Sequence, residues 1–175
     1  CGYAAHMRQA FLHGMLPTML PTKKLEGVAE TDVLHNTLNI EVAPPSNVIN
    51  ADVTSTIKCL NNLTEFTFRL SDTFTLGTVT LDGRPITVTR IDPTTCRANF
   101  DRPYVQNEQF TLFIPYSGPA VSSFFGSFEV GTRTSGAPFC FTLSEPWYSY
   151  TWWPNKDDNF DKATFSINVT VPNTL

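Results

Sequence analysis

The 175 residues carry a formal net charge of −4 and a sequence pI near 5.3; no Lys/Arg cluster is present to neutralise phosphates, which excludes a nucleic-acid-binding surface. No run approaches the roughly 18 to 20 apolar residues needed to span a bilayer, so a soluble protein with no membrane span is expected. A hydrophobic content of 41% in a chain of this length suits one domain with a real core, and 14 Phe and 13 Pro against 16% charged residues favour strands and turns over a helical bundle.

Taken in chain order, residues 1–30 read as a partly helical arm. Met7, Phe11 and Met15 recur at helical spacing between Ala4 and Met19, Pro17 ends the run, and a polar linker follows. The chain opens on Cys1 rather than Met, so a processed or trimmed start is expected. From residue 31 the period changes to two. Leu38, Ile40 and Val42 alternate with polar neighbours, Pro44-Pro45-Ser46-Asn47 supplies a turn, and Ala51, Val53, Ser55, Ile57 and Cys59 form a second alternating run. Phe66, Phe68 and Leu70 mark a third strand. Val79 and Leu81 lead into Asp82-Gly83, a hairpin signal because both central positions of that turn need positive φ, with Ile86, Val88 and Arg90 expected on the return strand. Phe110, Leu112 and Ile114 run up to Pro115-Tyr116-Ser117-Gly118, and Phe165, Ile167, Val169 and Val171 make the last strand. The prediction is an all-β body over 31–175, an antiparallel β-sandwich or curved saddle-like sheet of about eight to ten strands, with a short N-terminal helical arm.

Chemistry-bearing clusters are few. Cys59, Cys96 and Cys140 show no C-x-x-C spacing, so buried free thiols are expected, with one disulfide among them as the alternative. Asp157, Asp158, Asn159 and Asp161 crowd together, but Lys162 and Asn168 stand where a calcium loop needs glycine and glutamate; turn formation and pairing with Lys156 or Lys162 is expected instead. No G-x-S-x-G elbow occurs. A standalone esterase-like hydrolase would have to draw on Ser122 or Ser123 with His35 as base, His35 being the one histidine within the β-body. Trp147, Tyr148, Tyr150, Trp152 and Trp153 form an aromatic cluster that suits core packing or, as an alternative, a ligand-binding module for a sugar, a peptide, another small molecule or a partner protein.

One stretch is more specific than the rest: Ser144-Glu145-Pro146, then Thr151-Trp152-Trp153-Pro154-Asn155-Lys156-Asp157-Asp158, then Asp161-Lys162-Ala163-Thr164-Phe165. It resembles the N-terminal β-domain of the aminopeptidase N family, zinc exopeptidases whose bacterial members often read S-E-P, W-W-P-C-K-D-D and D-K-A-T-F. Thr78-Val79-Thr80-Leu81-Asp82-Gly83 and the strand ending at Gly118 fall in the family's order. Asn155 replaces the family's cysteine, and Tyr150 stands where an Arg is frequent. The resemblance implies that Glu145 lines the pocket for the substrate's first side chain, with Tyr150 and Trp152 beside it. The zinc motif H-E-x-x-H is absent; the histidines are His6, His13 and His35. A noncatalytic, substrate-facing or scaffold domain without cofactor is therefore expected, an incomplete version of the family's domain, either truncated or standalone. Such a domain should leave apolar surface for self-association or for a catalytic partner chain. The sequence leaves the compartment open, an exported bacterial protein being compatible with it.

Overall fold

A computed structural model describes residues 28–122, 127–144 and 147–173. The expected helical arm lies almost wholly outside the described residues, whose first element is a 3-10 turn at Val28–Glu30. Twelve strands follow: β1 (Thr31–Val42), β2 (Val48–Cys59), β3 (Leu63–Arg69), β4 (Thr75–Leu76), β5 (Thr80–Leu81), β6 (Arg84–Pro85), β7 (Thr87–Asp92), β8 (Thr95–Tyr104), β9 (Gln109–Pro119), β10 (Phe128–Thr132), β11 (Pro138–Thr142) and β12 (Thr164–Thr170). A second 3-10 turn at Ser149–Thr151 precedes the last strand. The protein is all-β, as its alternating sequence requires.

The main sheet has seven strands in the order β12-β1-β2-β9-β5-β6, with β4 also on β9. A three-stranded sheet, β3-β8-β7, packs against it, and β10-β11 form a separate ribbon. All pairings are antiparallel but one. β12 runs parallel to β1, with Thr164 beside His35 and Thr170 beside Glu41. Parallel neighbours need a long crossover, which here is everything between β1 and β12.

The core lies between the main sheet and the three-stranded one. Leu38, Ile40 and Val42 of β1, Ile49, Val53 and Ile57 of β2, and Phe110, Leu112, Ile114 and Tyr116 of β9 are all buried on one face. Phe66 and Phe68 of β3 meet them from the opposing layer, Phe66 edge-on to Phe110 with ring centroids 6.2 Å apart. Phe100 and Tyr104 of β8 close on the same ring at 5.0 and 5.3 Å. Burying each such side chain contributes about 2 kcal/mol, which makes Phe110 a keystone of the layer contact.

Two turns show how local chemistry directs the path. Asp82 and Gly83 take φ of 49° and 78° in a tight turn between β5 and β6, and the Asp82 carboxylate accepts from Tyr104 Oη at 2.6 Å and from the Thr111 amide at 2.8 Å. The return strand is shorter than the alternation predicts. It ends at Pro85, which has no N–H for the ladder, and Val88 and Arg90 belong to β7, which crosses to the three-stranded sheet and pairs with β8. At Gly118 φ is 151°, and a Cβ there would lie 2.4 Å from the Thr73 carbonyl oxygen, so only glycine lets β9 pass this close.

Candidate functional site

The Trp-Trp-Pro segment is held by backbone hydrogen bonds before any side chain acts. The Ser71 amide donates to the Tyr150 carbonyl at 2.9 Å, the Val121 amide to Thr151 at 3.0 Å, and Arg69 and Asn155 exchange bonds of 2.8 and 3.1 Å as an isolated antiparallel bridge. The segment thus spans from the end of β9 to the end of β3. Tyr148 sits at φ 79°, and the Thr151 hydroxyl bonds back to its carbonyl at 2.7 Å, fixing the turn.

Side chains then sort by depth. Trp153 is buried and Pro154 fully so, with the Trp153 ring edge-on to Phe165 at 5.7 Å. Trp152 is half-buried; its indole N–H donates to Ser144 Oγ at 3.0 Å, and its carbonyl accepts from Tyr116 Oη at 3.1 Å. Core packing therefore accounts for Trp153. Tyr150 lies under the Arg69 guanidinium, 5.4 Å from its ring centroid; burial raises its hydroxyl pKa, and Arg69 opposes that shift.

The acidic run is partly buried in ion pairs rather than arranged as a chelate. Lys156, itself buried, pairs with Asp161 and donates to the Thr31 carbonyl at 2.6 Å, while the Asp161 carboxylate also accepts from the Val33 amide at 3.0 Å. The predicted Lys156 pairing is present, and it ties the segment to the start of β1. Asp157 pairs with Arg69 at 3.3 Å. Burial pushes the Asp157 carboxyl up, against the opposing pull of Arg69. That long-range partner was not evident in the sequence. Among the described residues no group of three or more His, Cys, Asp or Glu is placed to hold a metal.

Beneath this lid lies a cavity of about 220 Å³ between the two layers, lined among others by Asn36, Ser55, Phe66, Phe68, Trp153 and Phe165. Its polar floor, also missed by the sequence reading, is the buried pair in which Ser55 Oγ donates to Asn36 Oδ1 at 2.7 Å. The two residues sit directly opposite each other in β2 and β1, at positions where alternation calls for apolar side chains.

The hydrolase candidates are not brought together. His35 Nδ1 is 2.7 Å from Thr164 Oγ1; that hydroxyl donates to the Leu34 carbonyl at 3.0 Å, so the histidine is the donor. The Ser122 hydroxyl donates to Glu129. His35 is level with Thr56 and, through it, Thr111, whereas Ser122 lies beyond Pro119; at a rise of about 3.3 Å per residue the two are roughly 25 Å apart along the sheet. Ser123 and Glu145 lie outside the described residues. Cys59, Cys96 and Cys140 are all free. Burial raises the thiol pKa of the first two, but Cys140 is exposed on β11, contrary to the expectation of buried thiols, because β10-β11 form a ribbon outside the main core.

No protein-family model and no curated protein matches the chain. Among solved structures, an M1 zinc metallopeptidase from Deinococcus radiodurans matches at 25% identity and a TM-score of 0.71, covering 82% of this chain and 33% of that one. A two-domain M1 zinc metallopeptidase bound to L-arginine matches at 24% identity and 0.73, over 90% of this chain and 35% of that one. Leukotriene A4 hydrolase from Saccharomyces cerevisiae shares the fold at 20% identity and 0.69, over 90% and 27%. The chain spans about a third or less of the length of these proteins. In sequence landmarks and in fold, it resembles the N-terminal β-domain of the M1 zinc aminopeptidases.

Proposed function

We propose that this chain serves as a noncatalytic, substrate-facing or scaffold β-domain of the kind found in M1 zinc aminopeptidases, acting through packing and recognition. The observation that carries the reading is the fold match over 82% of the chain to one third of the Deinococcus radiodurans enzyme. One structure of that enzyme is described with a Tyr-Ser-Ala substrate. By that likeness, the ligand class for this chain is a short peptide with a free amino end, met by Glu145 with Tyr150 and Trp152 alongside. The fixed Tyr148–Trp152 turn supports this assignment, because recognition groups work best on a rigid base. The catalytic groups would come from a partner chain or domain.

The test is hydrolysis of aminoacyl-nitroanilides and short-chain nitrophenyl esters by the purified chain, with zinc and with chelator. No turnover is expected. Chelator-resistant ester cleavage that disappears in His35→Ala or Ser122→Ala would overturn the reading in favour of a standalone hydrolase. Tryptophan fluorescence titrated with Tyr-Ser-Ala tests the recognition role, with Trp152→Phe as control; an unchanged signal from the parent chain would remove Trp152 from the site.

A further inference from the structure

Arg69 is the last residue of β3, and its contacts converge on the segment that carries Tyr150. Its backbone exchanges two hydrogen bonds with Asn155. Its guanidinium meets the Asp157 carboxylate at 3.3 Å, the two side chains being only 12% and 3% exposed, and the same group lies over the Tyr150 ring, 5.4 Å from its centroid. One residue thus touches the segment at positions 150, 155 and 157.

Stability alone does not account for this arrangement. A buried ion pair seldom stabilises a fold more than apolar packing of the same volume would. Arg69 Nε is moreover buried without a hydrogen-bond partner among the described residues, a loss that a merely stabilising pair would avoid. What the pair does supply is fixed geometry, because a planar guanidinium pinned by a carboxylate holds its place over an aromatic ring. The backbone of the same turn is already set by the left-handed Tyr148 and by the Thr151 hydroxyl bond. The Tyr150 side chain is the part left for Arg69 to fix.

We infer that Arg69 is a positioning residue of the Tyr148–Trp152 turn: anchored by Asp157, it sets the plane of the Tyr150 ring and so the surface that the turn offers to a peptide. The positioning of the ring stands on geometry alone, and its consequence for binding rests on the peptide-recognition reading.

The test is the aromatic NMR signals of Tyr150, assigned by their loss in Tyr150→Leu, recorded beside titrations with Tyr-Ser-Ala. Arg69→Lys keeps the charge without the planar fork. It should retain the circular dichroism of the parent, shift the Tyr150 signals while leaving those of Tyr104 and Tyr116 in place, and weaken Tyr-Ser-Ala binding about tenfold. Combined with Tyr150→Leu it should weaken binding no further than Tyr150→Leu does, since it acts through that ring. Should Arg69→Lys fail to fold, Asp157→Asn keeps the guanidinium, loosens its anchor, and should shift the same signals. Tyr150 signals that stay in place in the folded variants, or losses of affinity that add, would overturn the inference. A parent chain that binds no Tyr-Ser-Ala while its Tyr150 signals respond to residue 69 would remove the recognition reading, and with it the consequence for binding, and would leave the positioning of the ring supported.

Discussion

β9 and β12 carry the same kind of alternating apolar pattern, and the protein treats them in opposite ways. Phe110, Leu112, Ile114 and Tyr116 are almost wholly buried, while Phe165, Ile167, Val169 and Val171 are about half exposed. The difference lies in position. β9 sits inside the main sheet under Phe66, Phe68 and Phe100, whereas β12 is added in parallel at the edge, past the last ring of the second layer. Alternation in a sequence specifies which face is apolar; it says nothing of what covers that face.

The largest expected effect tests that contrast with one residue type. Phe110→Ala should lower the unfolding free energy by about 4 kcal/mol, and Phe165→Ala, which loses little beyond its contact with Trp153, by about 1 kcal/mol. Urea denaturation of the two variants checks this; equal losses would mean that the two stripes are equally covered.

Next comes the buried pair that draws β12 to β1. Asp161→Ala leaves Lys156 buried without its carboxylate and frees the Val33 amide, and should cost about 3 kcal/mol. Amide exchange in β12 should quicken more than in β9, since Asp161 fixes the chain only three residues before Thr164.

A smaller effect follows from Asp157. Its folded-state pKa lies above the ordinary 3.8 because of burial, so the folded protein keeps that proton to higher pH than the unfolded one. Its contribution to stability is therefore greatest below pH 3.8 and declines as pH rises through the raised value. In Asp157→Asn that decline should vanish, as seen in urea midpoints collected across the acid range; an unaltered slope would assign the pH dependence elsewhere. The smallest effect is expected at Ile167→Ala, within about 0.5 kcal/mol, because the side chain is largely exposed.

Much of the fold was legible because the long strands obey period two. The β1, β2, β3 and β9 core positions can be read directly from Leu38, Val53, Phe66 and Leu112 and their neighbours, and Asp82-Gly83 announces its own turn. β8 was not legible, because its buried positions are Thr95, Cys96, Ala98 and the distant Tyr104, which follow no period of two, and the first three resemble their less buried neighbours in size or polarity. Nor was the parallel addition of β12, where the Lys156–Asp161 anchor and the bonds of Thr164 and Asn168 to β1 act together across more than a hundred residues of chain. In the site, the Trp-Trp-Pro landmarks were plain from their resemblance to a family motif, and the Lys156 pairing followed from charge. Asn36 with Ser55 and Arg69 with Asp157 were hidden, since each joins residues distant in sequence through a contact that only the folded sheet creates.

The most direct test of the account is hydrogen exchange compared between β9 and β12. β9 amides should be strongly protected, while the amides of residues 164–170 should exchange markedly faster. Equal protection in the two strands would contradict the claim that β12 is a sheet-edge strand whose apolar side chains lie outside the packed core of the described residues.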